Sequence, residues 1–225
     1  VTKPYYADNN VTLYHGDCRE VTEWLTADVL VTDPPYGIAW KKGENRKAKS
    51  RRHEGIVNDG DTAVRDWVIA GMANKPGAVF GSLYAPFPAG LKQVLIYKKA
   101  PDAGVVGSTT GWRRDVEAIF LVGPWPRRDA LWSSVLTSQI ANSGTANSPA
   151  GRTGHPHAKP LDLMELLVSE CPEGVIADPS AGSGSTLIAA RNLGLPSIGV
   201  EIEERYCELI ARRLDQGALM FGAAS

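Results

Sequence analysis

The sequence predicts one α/β domain with a seven-stranded, mostly parallel sheet, and three observations carry that expectation. Short apolar runs starting at Val11, Val29, Gly77, Gln93, Val116, Val175 and Ser197 alternate with stretches of helical spacing. Two of these runs end in an acid followed by proline, Asp33-Pro34 and Asp178-Pro179, as strands do when the chain turns sharply at a sheet edge. The 225 residues suffice for a single domain spanning 1–225, and a domain of that size buries roughly 70% of its unfolded surface.

Composition narrows the class further. No apolar stretch approaches the length of a bilayer span, and the first residues lack the basic-then-apolar layout of a leader. The expectation is a soluble, cytoplasmic protein with no membrane partner. Cys18, Cys171 and Cys207 are odd in number and too far apart for a zinc knuckle or a CxxC pair, so neither a metal nor a disulfide is expected. Net charge is −1, yet the stretch from Lys41 to Arg52 carries seven bases and one acid, a local +6 that leaves −7 for the rest. Such asymmetry points to one segment facing a polyanion.

In chain order, Val11 to Tyr14 reads as a strand closed by His15-Gly16-Asp17, followed by a helical pattern from Cys18 to Leu25. Asp17 and Glu20 have the spacing of a capping box, which by itself accounts for Asp17. Val29-Leu30-Val31 is a buried strand that runs into Asp33-Pro34-Pro35-Tyr36-Gly37, and Lys41 to Gly55 is an aperiodic loop. Asp61 to Met72 has helical spacing with Ala63, Trp67, Ala70 and Gly71 on one face, and three strands follow, Gly77 to Ser82, Gln93 to Lys98 and Val116 to Val122. Pro124 to Gly154 is rich in Gly, Pro, Ser, Asn and Trp and reads as a long loop. After His155-Pro156-His157-Ala158-Lys159-Pro160 comes a helix from Leu161 to Ser169, with Pro160 suited to its first turn. The two histidines have no carboxylate or Cys at ligand spacing and are not read as a metal site. Val175 to Asp178 is a strand turning through Pro179 to Ser185 into a helix from Thr186 to Leu193. Ser197 to Glu201 is the last strand, Glu203 to Leu214 an amphipathic helix, and Gly217 to Ser225 a tail expected to fray.

The chemistry concentrates at Asp33-Pro34-Pro35-Tyr36. Two prolines fix two φ angles near −65° and remove two N–H donors, leaving a stiff rim of acceptors. Such a rim suits a flat ligand that donates hydrogen bonds, and the exocyclic amine of a nucleobase is one. Its lone pair is delocalised into the ring. The Asp33 carboxylate and the Pro34 carbonyl, each accepting one N–H, would draw the nitrogen toward a nucleophilic geometry while Tyr36 stacks on the ring. A plain proline turn after a strand is the competing reading of the same residues.

The string DPPY after an apolar strand resembles the catalytic motif of S-adenosylmethionine-dependent DNA amino-methyltransferases, in which the Asp form usually accompanies adenine. The resemblance implies that Asp33, Pro34, Pro35 and Tyr36 are the catalytic set and that S-adenosylmethionine is the cofactor. It implies cofactor contacts at Asp17 and Cys18 after the first strand, at Asp33, at Lys159 in the HPxxKP string, and at Asp178, Ser180, Gly182, Gly184 and Glu201. Glycines let the backbone approach a ligand, and Glu201, 19 residues after Gly182, is an acid placed to bind a ribose diol. The same turn geometry serves dinucleotides, although no third glycine follows in the pyrophosphate-binding place. Ser180 stands where the family usually has an aromatic residue and Ser185 where it has threonine, which implies modest cofactor affinity.

The order of motifs, DPPY first and the glycine turn last, resembles the beta arrangement of these enzymes. It implies a circularly permuted, Rossmann-like methyltransferase sheet whose strand near Val116 to Val122 is antiparallel, with Asp33 and Asp178 at adjacent strand ends. Double-stranded DNA is the implied partner, held by Lys41, Lys42, Arg46, Lys47, Lys49, Arg51 and Arg52, with the target base flipped out. Residues 124–154 correspond to a short target-recognition insert. So short an insert limits readout to a few base pairs, or shares it with a second subunit in a homodimer. Trp125, Trp132, Arg127 and Arg128 there are candidates for DNA contact or for loop anchoring, and Trp112, Arg113, Arg114 and Glu117 are assigned to packing and ion pairing. Transfer to the 4-amino group of cytosine and a DNA-binding module without activity are the alternatives.

Overall fold

The fold, taken from a computed structural model, is described for residues 2–38, 57–99, 111–127, 129, 132–138 and 158–222, with side chains described to 216. The strands are β1 (Tyr6–Ala7), β2 (Val11–His15), β3 (Val29–Thr32), β4 (Gly77–Gly81), β5 (Leu91–Lys98), β6 (Val116–Val122), β7 (Val135–Thr137), β8 (Ile176–Asp178) and β9 (Ser197–Glu201). The helices are α1 (Ala63–Gly71), α2 (Leu161–Ser169), α3 (Ser185–Asn192) and α4 (Glu204–Gly222). A 3-10 helix, Glu23–Thr26, lies between β2 and β3.

One sheet runs in the order β1-β2-β9-β8-β3-β4-β6-β5-β7. From β2 to β4 all neighbours are parallel, and β6 is antiparallel to both β4 and β5. The last two strands in sequence, β8 and β9, therefore sit between the first two long ones, and β3 lies directly beside β8. The expected mostly parallel sheet with a reversed strand at Val116–Val122 is present, and the short edge strand β1 is also antiparallel to its neighbour β2.

Burial follows the pleat. In β3, Val29 and Val31 join the core on one face with Leu163, Met164, Leu167 and Val168 of α2, while Leu30 joins Trp24, Val68 and Met72 on the other. The same alternation places Ala78 and Phe80 of β4 with the first group and Val79 with the second. A third cluster packs Cys207, Ile210 and Leu214 of α4 on Val11 and Leu13 of β2. All four residues of β3 and all five of β4 are buried, as the two-sided cover of a central parallel strand requires.

Several details differ from the sequence expectation. Among the described residues nine strands form instead of seven, because β1 and β7 are two and three residues long and too short to show a period. β7 falls inside the segment read as a loop, pairing with β5. No α-helix spans Cys18 to Leu25, and Asp17 and Glu20 make no capping box. The Asp17 backbone carbonyl accepts the Glu20 and Val21 N–H groups, while its side chain is taken up by Arg19. The chain instead makes a turn that drives Trp24 under the sheet, where its indole N–H donates to the Cys18 carbonyl at 2.9 Å. On α1 the stripe Ala63, Trp67, Ala70 and Gly71 does share one face, the exposed one, while Val64, Val68 and Ile69 are buried. At the end of that stripe Gly71 lies close to Leu25 and Trp24, where a Cβ would collide with Leu25, and the Trp67 ring meets Trp24 edge-on. The final helix continues to Gly222, so the stretch expected to fray is helical over six more residues from Gly217.

Among the described residues, no helix is long and apolar enough to cross a membrane, no group of His, Cys, Asp and Glu could hold a metal ion, and the three cysteines are buried and form no disulfide.

Trp24 is fully buried and hydrogen-bonded, so Trp24→Ala removes both a large apolar surface and a satisfied donor. The expected loss of stability is about 3–5 kcal/mol. Urea unfolding measures it, and a loss under about 1 kcal/mol would contradict the packing described.

Candidate active site

The carboxyl ends of β3 and β8 open side by side into a cavity of about 420 Å3. Such a junction, where strand order reverses in an open parallel sheet, is where these folds hold ligands. Asp33, Pro34, Pro35 and Tyr36 form one wall of it, and Asp178, Ser180, Gly182 and Glu201 another. Asp17 and Cys18, after β2, line the same space. The two walls are joined by Thr32 Oγ1, which donates to Asp178 Oδ1 at 2.7 Å.

The first wall is held rigidly. Gly37 has φ +71° and its N–H donates to buried Asp59 at 2.9 Å. A Cβ there would collide with the backbone of Asp61 and Thr62, so only glycine lets the DPPY turn pack against the approach to α1. Asp33 Oδ1 accepts the Tyr36 hydroxyl at 2.8 Å, and Asp33 Oδ2 accepts the Lys159 ammonium at 2.5 Å. Lys159 also reaches the Tyr36 hydroxyl at 3.1 Å and Glu117 Oε2 at 3.3 Å, and Glu117 in turn pairs with Lys99 at 2.6 Å. Burial, and then the charges of Asp33 and Glu117, push the Tyr36 hydroxyl well above its usual range, so it remains a donor. Burial opposes the charge of Glu117, but Lys159 and Lys99 hold its carboxyl down at about 2. Lys159 is likewise raised above the ordinary lysine value: burial disfavours its charge, and Asp33 and Glu117 outweigh that.

The second wall is a glycine turn organised by two buried acids. Asp178 accepts from Thr32 and from the Ser180 N–H at 3.2 Å, and burial pushes it up to about 6 against those bonds. Glu201 accepts the Gly182 N–H at 2.7 Å and the Glu203 N–H at 2.8 Å, and burial pushes it up to about 7. Gly182 adopts φ +54°, which turns its N–H onto Glu201.

Two positions behave differently from the sequence reading. Gly184, with φ +79°, caps α3, and its missing Cβ makes room for Ile210 of α4, so it serves packing and does not line the cavity. Lys159 lines the cavity but carries its ammonium to Asp33, away from the glycine turn, while its backbone carbonyl accepts the Ser185 hydroxyl at 3.0 Å. Lys41, Lys42, Arg46, Lys47, Lys49, Arg51, Arg52, Arg128, His155 and His157 lie outside the described residues. Arg113 pairs with Asp115 at 3.3 Å, in line with the ion-pairing expectation, and Arg114 stacks over Tyr84 at 5.3 Å.

Ser82, Leu83 and Tyr84 after β4, and Ile202 and Tyr206 after β9, also line the cavity. Sequence reasoning passed over them, although each follows the carboxyl end of a parallel strand, and that position was the available signal. The residues present fit S-adenosylmethionine. Asp17, Asp33, Asp178 and Glu201 make an acid-lined space suited to a cationic ligand bearing hydroxyl donors, while Cys18 and Ile202 add apolar wall.

The raised acids have a consequence for stability. Glu201 in the folded protein holds a proton up to about 7, whereas the free group loses it near 4.5. Between those values the folded state binds the extra proton, so this contribution is present at low pH and is lost as pH rises through the folded value. Glu201→Gln is expected to flatten the fall in stability between about pH 5 and about pH 8, measured by urea unfolding. A variant with the wild-type slope would contradict the assignment.

Residues 109–212 match the DNA methylase family of N6 and N4 methyltransferases. The chain is 38% identical to a putative methylase, YubD of Escherichia coli K12, over 93% of each chain. It is 24% identical to the DNA adenine methyltransferase YhdJ of the same organism, over 91% of this chain and 82% of that one. The crystal structure of an M1.HpyAVI–SAM complex superposes with a TM-score of 0.58 and 23% identity, covering 90% of this chain and 99% of the other, and so shares the fold. The acid-lined junction thus sits in a chain that aligns over 93% of its length with a methylase, and the chain belongs to the DNA methylase family.

Proposed function

We propose that this DNA methylase transfers a methyl group from S-adenosylmethionine to the 6-amino group of an adenine flipped out of double-stranded DNA. One observation carries the reading: the Asp33 carboxylate and the Glu201–Gly182 turn face one cavity from adjacent strand ends. The names of YhdJ, an adenine methyltransferase, and of the M1.HpyAVI–SAM complex support the choice of base and of donor.

In this reading Asp17, Cys18, Asp178, Ser180, Gly182 and Glu201 hold S-adenosylmethionine, which when bound supplies a methyl group made electrophilic by its sulfonium. The chain's own work is on the amine. Asp33 and the Pro34 carbonyl accept its two hydrogens, concentrating the lone pair on nitrogen, and Pro35 keeps the rim from yielding. Tyr36 offers its ring to the base, at about 1–3 kcal/mol for stacking, against a cost of a few kcal/mol for flipping. Proximity in a closed pocket then accounts for much of the rate. The basic stretch from Lys41 to Arg52 is assigned to the DNA phosphates, and residues 124–154 to target recognition within the single domain. A homodimer is the arrangement that would extend the readout.

The test is transfer of labelled methyl groups to DNA followed by nucleoside analysis. N6-methyladenine is the expected product. N4-methylcytosine would move the reaction to the alternative base, and no saturable S-adenosylmethionine binding by calorimetry would make the chain an inactive module. Asp33→Ala is expected to lower transfer by about 10²-fold or more with the fold retained; near-normal transfer would sink the mechanism. Neutralising the basic stretch is expected to flatten the salt dependence of DNA binding by about 0.9 log units per lost phosphate contact, and an unchanged slope would remove it from the interface.

A further inference from the structure

The Lys159 ammonium has three partners: it donates to Asp33 Oδ2 at 2.5 Å and to the Tyr36 hydroxyl at 3.1 Å, and it pairs with Glu117 Oε2 at 3.3 Å. The side chain is 9% exposed and its ammonium lies over the Phe80 ring at 4.8 Å, so little space remains for a further acceptor. Its main chain is fixed as well. The carbonyl accepts Ser185 at 3.0 Å, and Pro160 follows as the cap of α2.

We propose that Lys159, steadied by Glu117, is a positioning residue for the Asp33 carboxylate and not a ligand of the methyl donor. It holds one carboxylate oxygen in place and fixes the rotation of the group, so that Asp33 meets an incoming amine in one orientation. The proposal rests on the adenine-methyltransferase reading for its consequence, but its geometry is independent of that reading.

The electrostatics follow from what surrounds Asp33. Tyr36 on its own turn and Lys159 before α2 touch it, and Asp178 at the end of β8 acts on it through space. Glu117 on β6 shares Tyr36 and Lys159 with it, Lys99 after β5 pairs with the far side of Glu117, and Tyr97 of β5 interacts with Glu117 and Lys159. With Lys159 present the pair of carboxylates is balanced. Without it, Asp33 and Glu117 face each other across the Tyr36 hydroxyl, at 2.8 and 3.4 Å, with only Lys99 at the far oxygen of Glu117. Like charges so close raise one carboxyl, and Asp33, once protonated, becomes a donor where an acceptor is needed.

The experiment compares wild type, Lys159→Met, Lys159→Arg and Glu117→Gln in three readouts. These are the Asp33 carboxyl titration by carbon NMR in the unliganded protein, S-adenosylmethionine affinity by calorimetry, and the pH profile of methyl transfer. For Lys159→Met the Asp33 midpoint is expected to rise by about 1–3 pH units, and the acid limb of activity to move up with it. Donor affinity should stay within about threefold while turnover falls by about tenfold or more, and Lys159→Arg should restore the midpoint. An unmoved midpoint together with a tenfold or greater loss of donor affinity would overturn the proposal and return Lys159 to the donor site. If Lys159→Met does not fold, Glu117→Gln decides: removing the second carboxylate should lower the Asp33 midpoint, and no change would refute the coupling. A wild-type protein that methylates no DNA would fail the functional reading while the titrations still judged this one.

Discussion

Thr32 and Asp178 share a hydrogen bond of 2.7 Å between the carboxyl ends of two parallel neighbours, β3 and β8, and the site depends on that adjacency. The two strands are far apart in sequence, yet they register from Val29 opposite Ile176 and Leu30 opposite Ala177, so Asp33 and Pro179 leave the sheet at nearly one level. Parallel neighbours require a crossover, and here it encloses most of the chain between them. The reward is a cavity whose acceptor wall comes from the first half of the protein and whose glycine turn comes from the last.

Burial and charge are set against each other around that cavity, and the outcome differs from wall to wall. Among the described residues, Asp178 and Glu201 at the glycine turn have hydrogen bonds but no ion pair, so burial wins and both carboxyls hold their protons toward neutral pH. At the acceptor wall the acids have cations. Lys159 and Lys99 outweigh burial at Glu117, which stays ionised far into acid, and the same lysine sits on Asp33. Tyr36, pressed between the two acids, keeps its proton and acts as a donor to Asp33. An acceptor presented to a neutral amine benefits from such pairing, because a half-buried carboxylate loses hydration that the ammonium offsets.

Much of this was legible in the sequence because it is local. The DPPY turn and the turn after Asp178 are contiguous strings whose proline, glycine and acid chemistry is fixed by a few neighbouring residues. The reversed strand at Val116–Val122 and the adjacency of Asp33 and Asp178 were implied by the family resemblance that the order of those strings carries; that β8 and β9 lie between β2 and β3 is shown by the structure. What the sequence did not show is set by distant partners. Lys159 meets Asp33 across 126 positions, and no spacing rule connects them. Gly184 has the look of a ligand-approach glycine, but Ile210 fills the space beside it. Asp17 and Glu20 have capping-box spacing, but Arg19 takes the carboxylate and the chain turns instead. The stripe Ala63, Trp67, Ala70 and Gly71 shares one face of α1 as its spacing indicates, but which face is buried is set by distant partners: the buried side packs Val64, Val68 and Ile69 with the aliphatic stem of Arg65, whose guanidinium reaches the Pro86 carbonyl.

The most direct measurement is a crystal structure of the protein with an unreactive analogue of the donor and a duplex containing its target adenine. The expected result is the 6-amino nitrogen within hydrogen-bonding distance of both the Asp33 carboxylate and the Pro34 carbonyl, with the analogue against Gly182 and Glu201 in the same cavity. A base seated away from Asp33, or an analogue bound outside the turn between Asp178 and Glu201, would contradict the account.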